Sequence, residues 1–345
     1  MSRSENSANR ILVVAPSWIG DAVLSHPMLA RLARRAPAPL IDVLAPAWVL
    51  PVYRRMPEVA DTIENPFRHG ELALAARYRL GRKLARRGYS SAYVLPNSLK
   101  SALVPCFAGI PARIGYKGEM RYGLLTDRRH LDKLALPLMV ERFAWLAQPA
   151  DTGLSRPLSN PRIRVDTTEY AAMLLRHDLP AHARVACFCP GAEFGPAKRW
   201  PTKHFASLAK QLVDRGFSVW LLGSAADKPV GDEIVRASGG AAQNLCGTTN
   251  LDDAIILLSA AELVITNDSG LMHVASALDR PTVAIYGSSS PAFTPPLSDF
   301  ARVVQLDLPC SPCFSRTCPL QHFDCMLKLG PEKVMEAIKS IGVDL

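Results

Sequence analysis

The sequence of 345 residues has no apolar run long enough to cross a membrane, although 48% of its residues are hydrophobic. Charged residues, proline or glycine interrupt each apolar run before it reaches the length of about 18 to 20 residues that a membrane helix needs. The first ten residues are polar and contain no apolar secretory segment. We therefore expect a cytoplasmic globular protein in which the eight cysteines are thiols or metal ligands.

Several motifs of common nucleotide-dependent enzymes are also missing. The loop at residues 16–21 follows the first strand-like segment but lacks the Gly-x-Gly-x-x-Gly pattern of dinucleotide-binding dehydrogenases. No Gly-Lys-Ser of the Walker type is present, which disfavours ATP hydrolysis. No Asp-x-Asp pair occurs in a loop suited to Mg²⁺, so the sequence indicates no obligatory metal.

Positive charge is concentrated in the first half of the chain. Residues 1–165 contain 25 Lys and Arg against 12 Asp and Glu, whereas residues 166–345 contain 15 against 19. This asymmetry indicates either a solvated basic surface or an anionic partner, such as a phosphorylated substrate, a membrane surface or nucleic acid. Nucleic acid is disfavoured, because the basic half lacks interleaved aromatic residues and any zinc-finger or RNA-binding signature.

Short apolar segments alternate with helical patterns in two series, which predicts two parallel sheets. In the first series the predicted strands are 11–15, 40–44 and 92–95, and the helices are 21–35 and 71–87. After the Pro-rich stretch near residue 160, the predicted strands are 185–189, 217–222, 263–266 and 282–286. The helical patterns of this series are 203–215, 227–237, 251–260 and 270–277. We predict α/β domains at 1–160 and 161–327, and a C-terminal helix within 328–345.

The loop after the first strand contains a candidate proton acceptor. In open parallel sheets, ligands bind beyond the carboxyl ends of the strands. Gly20 lets the backbone approach such a ligand, and Asp21 offers a carboxylate that can take a proton from a substrate hydroxyl. An acidic residue in a first helical turn also offsets the helix dipole, so a purely structural role stays open.

The loop at residues 190–201 is rich in glycine and proline and contains two adjacent cations before a predicted helix. Lys198 is suited to act as a point charge on a diphosphate, while Arg199 can pair with a carboxylate or lie along the surface. The number of special residues in this loop favours a functional site over a simple connection.

A third loop runs from a predicted strand through Asp268 into a predicted helix. The backbone N–H groups of Ser269, Gly270 and Leu271 can bind a phosphate at the helix N-terminus. Asp268 would equally serve as a plain N-cap, and His273 would equally be a buried core histidine. The Gly-Ser-Ser-Ser sequence that follows the next strand completes a candidate diphosphate site.

Four cysteines lie within sixteen residues near the C-terminus, at Cys310, Cys313, Cys318 and Cys325. Four thiolates can bind Zn²⁺ tetrahedrally, but this spacing differs from that of paired Cys-x2-Cys knuckles. Reduced, packed thiols are therefore favoured, zinc is left open, and we assign no metal ligands.

Five segments together resemble the bacterial lipopolysaccharide heptosyltransferases of the second type, in glycosyltransferase family 9. The segments are 17–21, 95–101, 118–125, 190–201 and 267–273. The two long loops are specific for this group, whereas the Gly-Asp pair and the Asp-Ser-Gly-Leu-x-His motif are shared with the first type. The resemblance extends from about residue 10 to about residue 300.

The resemblance implies a GT-B fold, in which two Rossmann-like domains face each other across a cleft. The N-terminal domain would bind the acceptor and the C-terminal domain ADP-heptose. It further implies an inverting transfer of L-glycero-D-manno-heptose from ADP-heptose to the first heptose of the Kdo-lipid A inner core, with peripheral contact to the cytoplasmic leaflet of the inner membrane. The alternative is a GT-B transferase or epimerase acting on another nucleotide sugar. We expect a monomer with no obligatory cofactor, Mg²⁺ being at most stimulatory.

By motif position, the resemblance implies that Asp21 is the general base and that Lys198 contacts the nucleotide diphosphate. The implied donor site also contains Gly20, Gly191, Asp227, Asp268, Ser269, Gly270, Leu271 and His273. From the charge asymmetry we predict three acceptor-binding cations in loops or at helix starts: Lys100, Arg113 and Arg121.

Overall fold

The computed structural model describes residues 9–181 and 184–345, and the chain divides into two units, Met1–Pro161 and Arg162–Leu345. The first eight residues, which belong to the polar segment without a secretory pattern, lie outside the described residues. Within the described part of the chain, every helix is too short or too polar to span a bilayer.

The first unit contains one parallel six-stranded sheet with helices between its strands. Its strands are β1 (Arg10–Val14), β2 (Leu40–Ala45), β3 (Val59–Glu64), β4 (Tyr89–Val94), β5 (Ala112–Tyr116) and β6 (Asp127–Arg129). Its helices are α1 (Ile19–Leu24), α2 (His26–Ala33), α3 (Leu50–Arg54), α4 (Leu74–Ala85), α5 (Leu103–Phe107) and α6 (Met139–Leu146). The strand order is β3-β2-β1-β4-β5-β6, so the order reverses between β1 and β4.

The second unit repeats this topology. Its strands are β7 (Arg184–Cys189), β8 (Phe217–Leu221), β9 (Ala242–Asn244), β10 (Leu263–Asn267), β11 (Thr282–Ile285) and β12 (Ala301–Val304). Its helices are α7 (Thr167–Arg176), α8 (Thr202–Val213), α9 (Lys228–Ala237), α10 (Leu251–Ser259), α11 (Gly270–Ala277), α12 (Asp324–Leu327) and α13 (Pro331–Ser340). The order β12-β11-β10-β7-β8-β9 again places the first strand in the middle, with a reversal between β7 and β10.

The central strands are continuous apolar runs because helices cover both faces of each sheet. All five residues of β10 are buried, as are the last four of β1. The helices bury one stripe each: α8 places Phe205, Leu208 and Leu212 in the core at spacings of three and four residues. The predicted α/β class with two parallel sheets is therefore confirmed.

The helix predicted over residues 21–35 is in fact two helices, α1 and α2, which meet at Ser25. Proline has no backbone N–H to donate to the preceding turn, and Pro27 is therefore tolerated only in the first turn of a helix.

The predicted C-terminal helix is part of the second unit. Val334, Met335 and Ile338 of α13 lie in the core of the second unit.

The amino-terminal edge of the first sheet contains a buried ion cluster. The side chain of Asp42 is fully buried and accepts hydrogen bonds from Arg10 (2.8 Å), Arg87 (2.8 Å) and the hydroxyl of Tyr89 (2.6 Å). Because these contacts lie at the edge opposite the strand ends that bind ligands, we assign this cluster to stability.

Candidate functional site

Asp21 lies in the first turn of α1, directly after the central strand of the first unit. Its side chain is partly buried, and loss of hydration raises its pKa to about 6. Such a carboxylate is mostly ionised at neutral pH and holds a proton more strongly than an ordinary aspartate. The position and pKa suit a general base, and the adjoining Gly20 is also partly buried.

The loop after β4 is held against the loop after β5 by Arg121. Its guanidinium group donates to the carbonyl of Pro96 (2.8 Å), to the carbonyl of Tyr116 and, at 3.4 Å, to the side chain of Asn97. Arg121 is only 2% exposed, and burial lowers the pKa of its guanidinium group. The backbone N–H of Glu119 also donates to Asn97. Arg121 therefore holds the two loops together from inside the unit.

Arg113 has the same kind of environment. Its guanidinium group donates to the carbonyls of Leu124 (2.6 Å), Ile110 (2.5 Å) and Gly123 (3.3 Å). Backbone carbonyls of their own unit hold both guanidinium groups, which favours a structural role for Arg113 and Arg121. Their acceptor-binding role stays a prediction. Lys100 is partly exposed and forms no ion pair among the described residues, so its acceptor role stays a prediction.

Large exposed side chains at this edge of the first sheet were not anticipated. Trp18 is 49% exposed after β1, and Trp48 is 55% exposed after β2, with its indole donating to the carbonyl of Ser17 (3.0 Å). Met120 and Tyr122, after β5, are also exposed. Exposed aromatic residues often mark binding surfaces. A sequence signal was available, since Ala-Pro-x-Trp occurs twice, at residues 15–18 and 45–48.

In the second unit, Lys198 and Asp268 form a close ion pair. Lys198 Nζ lies 2.5 Å from Asp268 Oδ2, and the side chains are 16% and 5% exposed. The neighbouring Asn267 accepts from the backbone N–H of Trp200 (3.0 Å) and donates to the carbonyl of Pro190 (2.7 Å). These bonds fix both ends of the 190–201 loop to the end of β10, and thereby place Lys198 beside the start of α11.

The start of α11 distinguishes two interpretations of Asp268. The N-cap of the helix is Ser269, which makes no side-chain capping bond, so Asp268 is not the N-cap. Its carboxylate faces Lys198 instead. The first-turn amides, including those of Gly270 and Leu271, point out of the helix end without partners in the preceding helical turn, as an anion site requires.

His273 is buried on α11, and burial lowers the pKa of its imidazole to about 4. The charge of Asp268 partly offsets this lowering of the pKa, and that of Lys198 adds to it. His273 is therefore neutral at physiological pH and can contribute a hydrogen bond but no positive charge.

Asp227 lies in the loop between β8 and α9, close to the loop after β7. A methyl group at Gly191 would lie 2.5 Å from the carboxyl group of Asp227, so a larger residue there would displace that carboxyl group. The carboxylate accepts from the backbone N–H (3.0 Å) and the hydroxyl (2.7 Å) of Ser224, and Arg199 approaches to 3.9 Å. The structure thus brings Gly191 and Asp227 together, and the donor-binding role of Asp227 stays a prediction.

The four C-terminal cysteines are free thiols that line one small cavity of about 20 Å³, together with Ala197 of the 190–201 loop and Ser288 of the loop after β11. Backbone N–H groups, that of Phe323 above all, lower the pKa of the Cys318 thiol, whereas burial raises that of Cys325. Among the described residues, no group of three or more His, Cys, Asp or Glu side chains is arranged to hold a metal ion.

Comparisons with known proteins agree on one group. A model of "Glycosyltransferase family 9 (heptosyltransferase)" matches residues 77–324. Lipopolysaccharide heptosyltransferase 2 of Escherichia coli K12 is 48% identical over 96% of this chain and 98% of its own. Lipooligosaccharide heptosyltransferase 2 of Haemophilus influenzae Rd is 46% identical over 86% and 88%. The solved structure of E. coli ADP-heptose lipopolysaccharide heptosyltransferase II superposes with a TM-score of 0.87, at 46% identity over 96% and 98% of the two chains.

Proposed function

The chain belongs to glycosyltransferase family 9, the heptosyltransferases, and from this premise we propose that it transfers L-glycero-D-manno-heptose from ADP-heptose to the first heptose of the lipopolysaccharide inner core. The observation that carries this proposal is the 48% identity to a heptosyltransferase of the second type, which extends over 96% of the chain. The expected GT-B fold is confirmed, since both units have the parallel six-stranded sheet of that fold. An epimerase or a transferase for another sugar donor is not favoured.

Proton removal is assigned to the first unit. We propose that Asp21 accepts the proton of the acceptor hydroxyl as that oxygen attacks the anomeric carbon, with inversion. The raised pKa makes Asp21 a stronger base than a solvated aspartate while leaving it ionised at neutral pH. This role needs no metal, so we propose that no cofactor is obligatory and that Mg²⁺ is at most stimulatory. We also propose that the protein acts as a monomer.

Donor binding is assigned to the second unit. Lys198 and the first-turn amides of α11 lie at the end of β10 and would stabilise the negative charge of the departing ADP. Asp268 orients Lys198 through the 2.5 Å ion pair. Neutral His273 would donate or accept one hydrogen bond without adding charge.

Contact with the cytoplasmic leaflet of the inner membrane is part of the proposal, and helix α4 supports it. The helix contains no acidic residue, and its cations Arg79, Arg82 and Lys83 are exposed. Leu74 and Tyr78 are exposed on the same helix. Attraction of about 1 kcal/mol per cation near an anionic leaflet gives reversible association that weakens with salt. Cosedimentation with anionic and neutral vesicles tests this, and equal binding to both would contradict it.

Mass spectrometry of a complete reaction tests the transfer itself. Purified protein with ADP-heptose and a mono-heptosylated Kdo-lipid A acceptor should add one heptose and release one ADP. Parallel reactions with ADP-glucose and UDP-sugars test the alternative of another donor. A further reaction with EDTA tests the cofactor proposal, and we expect the same rate with and without the chelator. Transfer from a UDP-sugar but not from ADP-heptose would overturn the proposed function.

A further inference from the structure

Residues 310–325 contact two donor-site loops through backbone hydrogen bonds. The N–H of Ala197, in the 190–201 loop, donates to the carbonyl of Arg316 (3.0 Å). The N–H of Phe314 donates to the carbonyl of Ser288 (2.6 Å), in the loop after β11. Since backbone bonds hold both loops, the segment has a defined position beside Lys198.

Gly195 makes the approach of Arg316 feasible. A side-chain carbon at Gly195 would collide with the carbonyl oxygen of Arg316, so any other residue would separate the two segments. The contact is therefore built into the 190–201 loop at the position where that loop leads to Lys198.

The side chain of Arg316 shares an aromatic neighbour with Lys198. Lys198 Nζ lies 5.0 Å and Arg316 Cζ 5.4 Å from the centre of the Phe194 ring. The two cationic groups are therefore at most about 10 Å apart. If each cation makes a hydrogen bond of about 3 Å to an anion between them, the gap that remains is one that the oxygens of a single diphosphate can span.

The three cations near this loop differ in their partners. Lys198 pairs with Asp268, and Arg199 approaches Asp227 at 3.9 Å. Arg316 is exposed and pairs with no carboxylate among the described residues. Arg316 is thus held in place by its own backbone, lies close to a second cation and has no carboxylate partner among the described residues. Such a cation is suited to bind an anion. A guanidinium group can bind a phosphate with two parallel hydrogen bonds.

We propose that Arg316 is a second diphosphate-binding residue of the donor site, and that residues 310–325 position it there. The inference rests on the proposed function, because it takes the ligand to be a nucleoside diphosphate sugar. It assigns a binding role to a segment for which the sequence motifs gave none. Lys198 and Arg316 together would hold the diphosphate through separate oxygens.

Calorimetry with ADP and adenosine tests the proposal in the full-length protein. Arg316→Ala should weaken ADP binding about 10-fold or more, the scale of a lost charged hydrogen bond, and leave adenosine binding unchanged. Arg316→Lys keeps the charge but loses the paired hydrogen bonds, and should show an intermediate loss. Arg302→Ala is the matched control, because Arg302 is an exposed cation of β12 in the same unit, and this variant should bind ADP normally.

The outcomes separate this inference from the proposed function. If the wild-type protein does not bind ADP, the proposed function fails. If wild type binds ADP and Arg316→Ala binds it equally well, only the role of Arg316 is overturned. An equal loss of ADP and adenosine affinity in Arg316→Ala would mean that the side chain supports the loop and does not contact phosphate, which also overturns the proposal.

Discussion

The carboxyl edges of the two sheets have the same strand order but different side chains. In the first unit the edge contains one partly buried acid, Asp21, and exposed aromatic residues such as Trp18 and Trp48. In the second unit Lys198 is paired with Asp268, and the carboxylate of Asp227 accepts a hydrogen bond from Ser224. Identical topology therefore supports two different kinds of surface.

This difference follows from what each edge is proposed to bind. A proton acceptor is most effective when its charge is weakly stabilised, and burial without a cation raises the pKa of Asp21. A diphosphate site needs cations and amides that are already in position, and pairing keeps Lys198 there before the ligand binds. The carboxyl edge of the first sheet is thus suited to accept a proton, and that of the second sheet to bind a diphosphate.

The largest expected effect comes from removing the carboxylate of Asp21. Asp21→Asn should lower turnover by about 100- to 10,000-fold, because the amide cannot accept the proton. ADP affinity should stay within error of wild type, since the donor residues lie in the second unit. Steady-state kinetics and calorimetry on the same preparation check both statements. Near-normal turnover would remove Asp21 from the mechanism.

Breaking the charge pair of the second unit should affect ADP binding as well as turnover. Lys198→Ala should weaken ADP binding about 10-fold and lower turnover further, because the same cation meets the bound and the departing diphosphate. Lys210→Ala, an exposed cation on α8, is the control and should behave as wild type. Unchanged ADP affinity in Lys198→Ala would show that the pair with Asp268 is structural.

The pH dependence sharpens the assignment to the first unit. Below pH 6, kcat/KM should fall by about 10-fold per pH unit as Asp21 becomes protonated. The raised pKa also means that the folded protein binds this proton more tightly than the unfolded chain does. The stability that the protonated Asp21 contributes is fully present below about pH 4 and is lost as pH rises through about 6. At pH 8, Asp21→Asn should therefore melt no lower than wild type, and a clearly lower melting temperature would contradict the buried environment.

The smallest effect on activity is expected at the other edge of the first sheet. Asp42→Asn should cost about 2 to 4 kcal/mol of stability, because it weakens a buried acceptor of Arg10, Arg87 and Tyr89. Turnover by the protein that remains folded should be unchanged. Denaturant unfolding and kinetics below the transition test this, and a specific rise in KM would show that the two edges are not independent.

The sequence predicts the architecture because each sheet contains continuous apolar strands between amphipathic helices. Strands β1, β7, β8 and β10 are found within one or two residues of their predicted bounds. Strands β3, β5, β6, β9 and β12 are not predicted by the sequence. Four of them, β3, β6, β9 and β12, are edge strands, which are half-exposed and have no continuous apolar run. The fifth, β5, is internal, but Arg113 and Gly115 interrupt its apolar residues. The loops after the central strands could be identified as candidates because parallel strands end at a common edge.

Side-chain partners could not be predicted in the same way. Arg121 bonds to a carbonyl 25 residues earlier, and this contact depends on how two irregular loops pack. The sequence shows only that Arg121 is a cation in a loop, which is equally compatible with substrate binding. The contact of Arg316 with Ala197 spans more than a hundred residues and has no local signal.

The indole of Trp200 donates to the carbonyl of Leu329 at 2.7 Å, so the donor loop is anchored by a residue close to the end of the chain. This contact has a consequence for synthesis. The first unit can fold while the ribosome is still making the second, because its sheet is complete by residue 129. The 190–201 loop cannot take its final form until residue 329 has left the ribosome. The nascent chain therefore emerges with Asp21 in place well before its proposed donor site is complete.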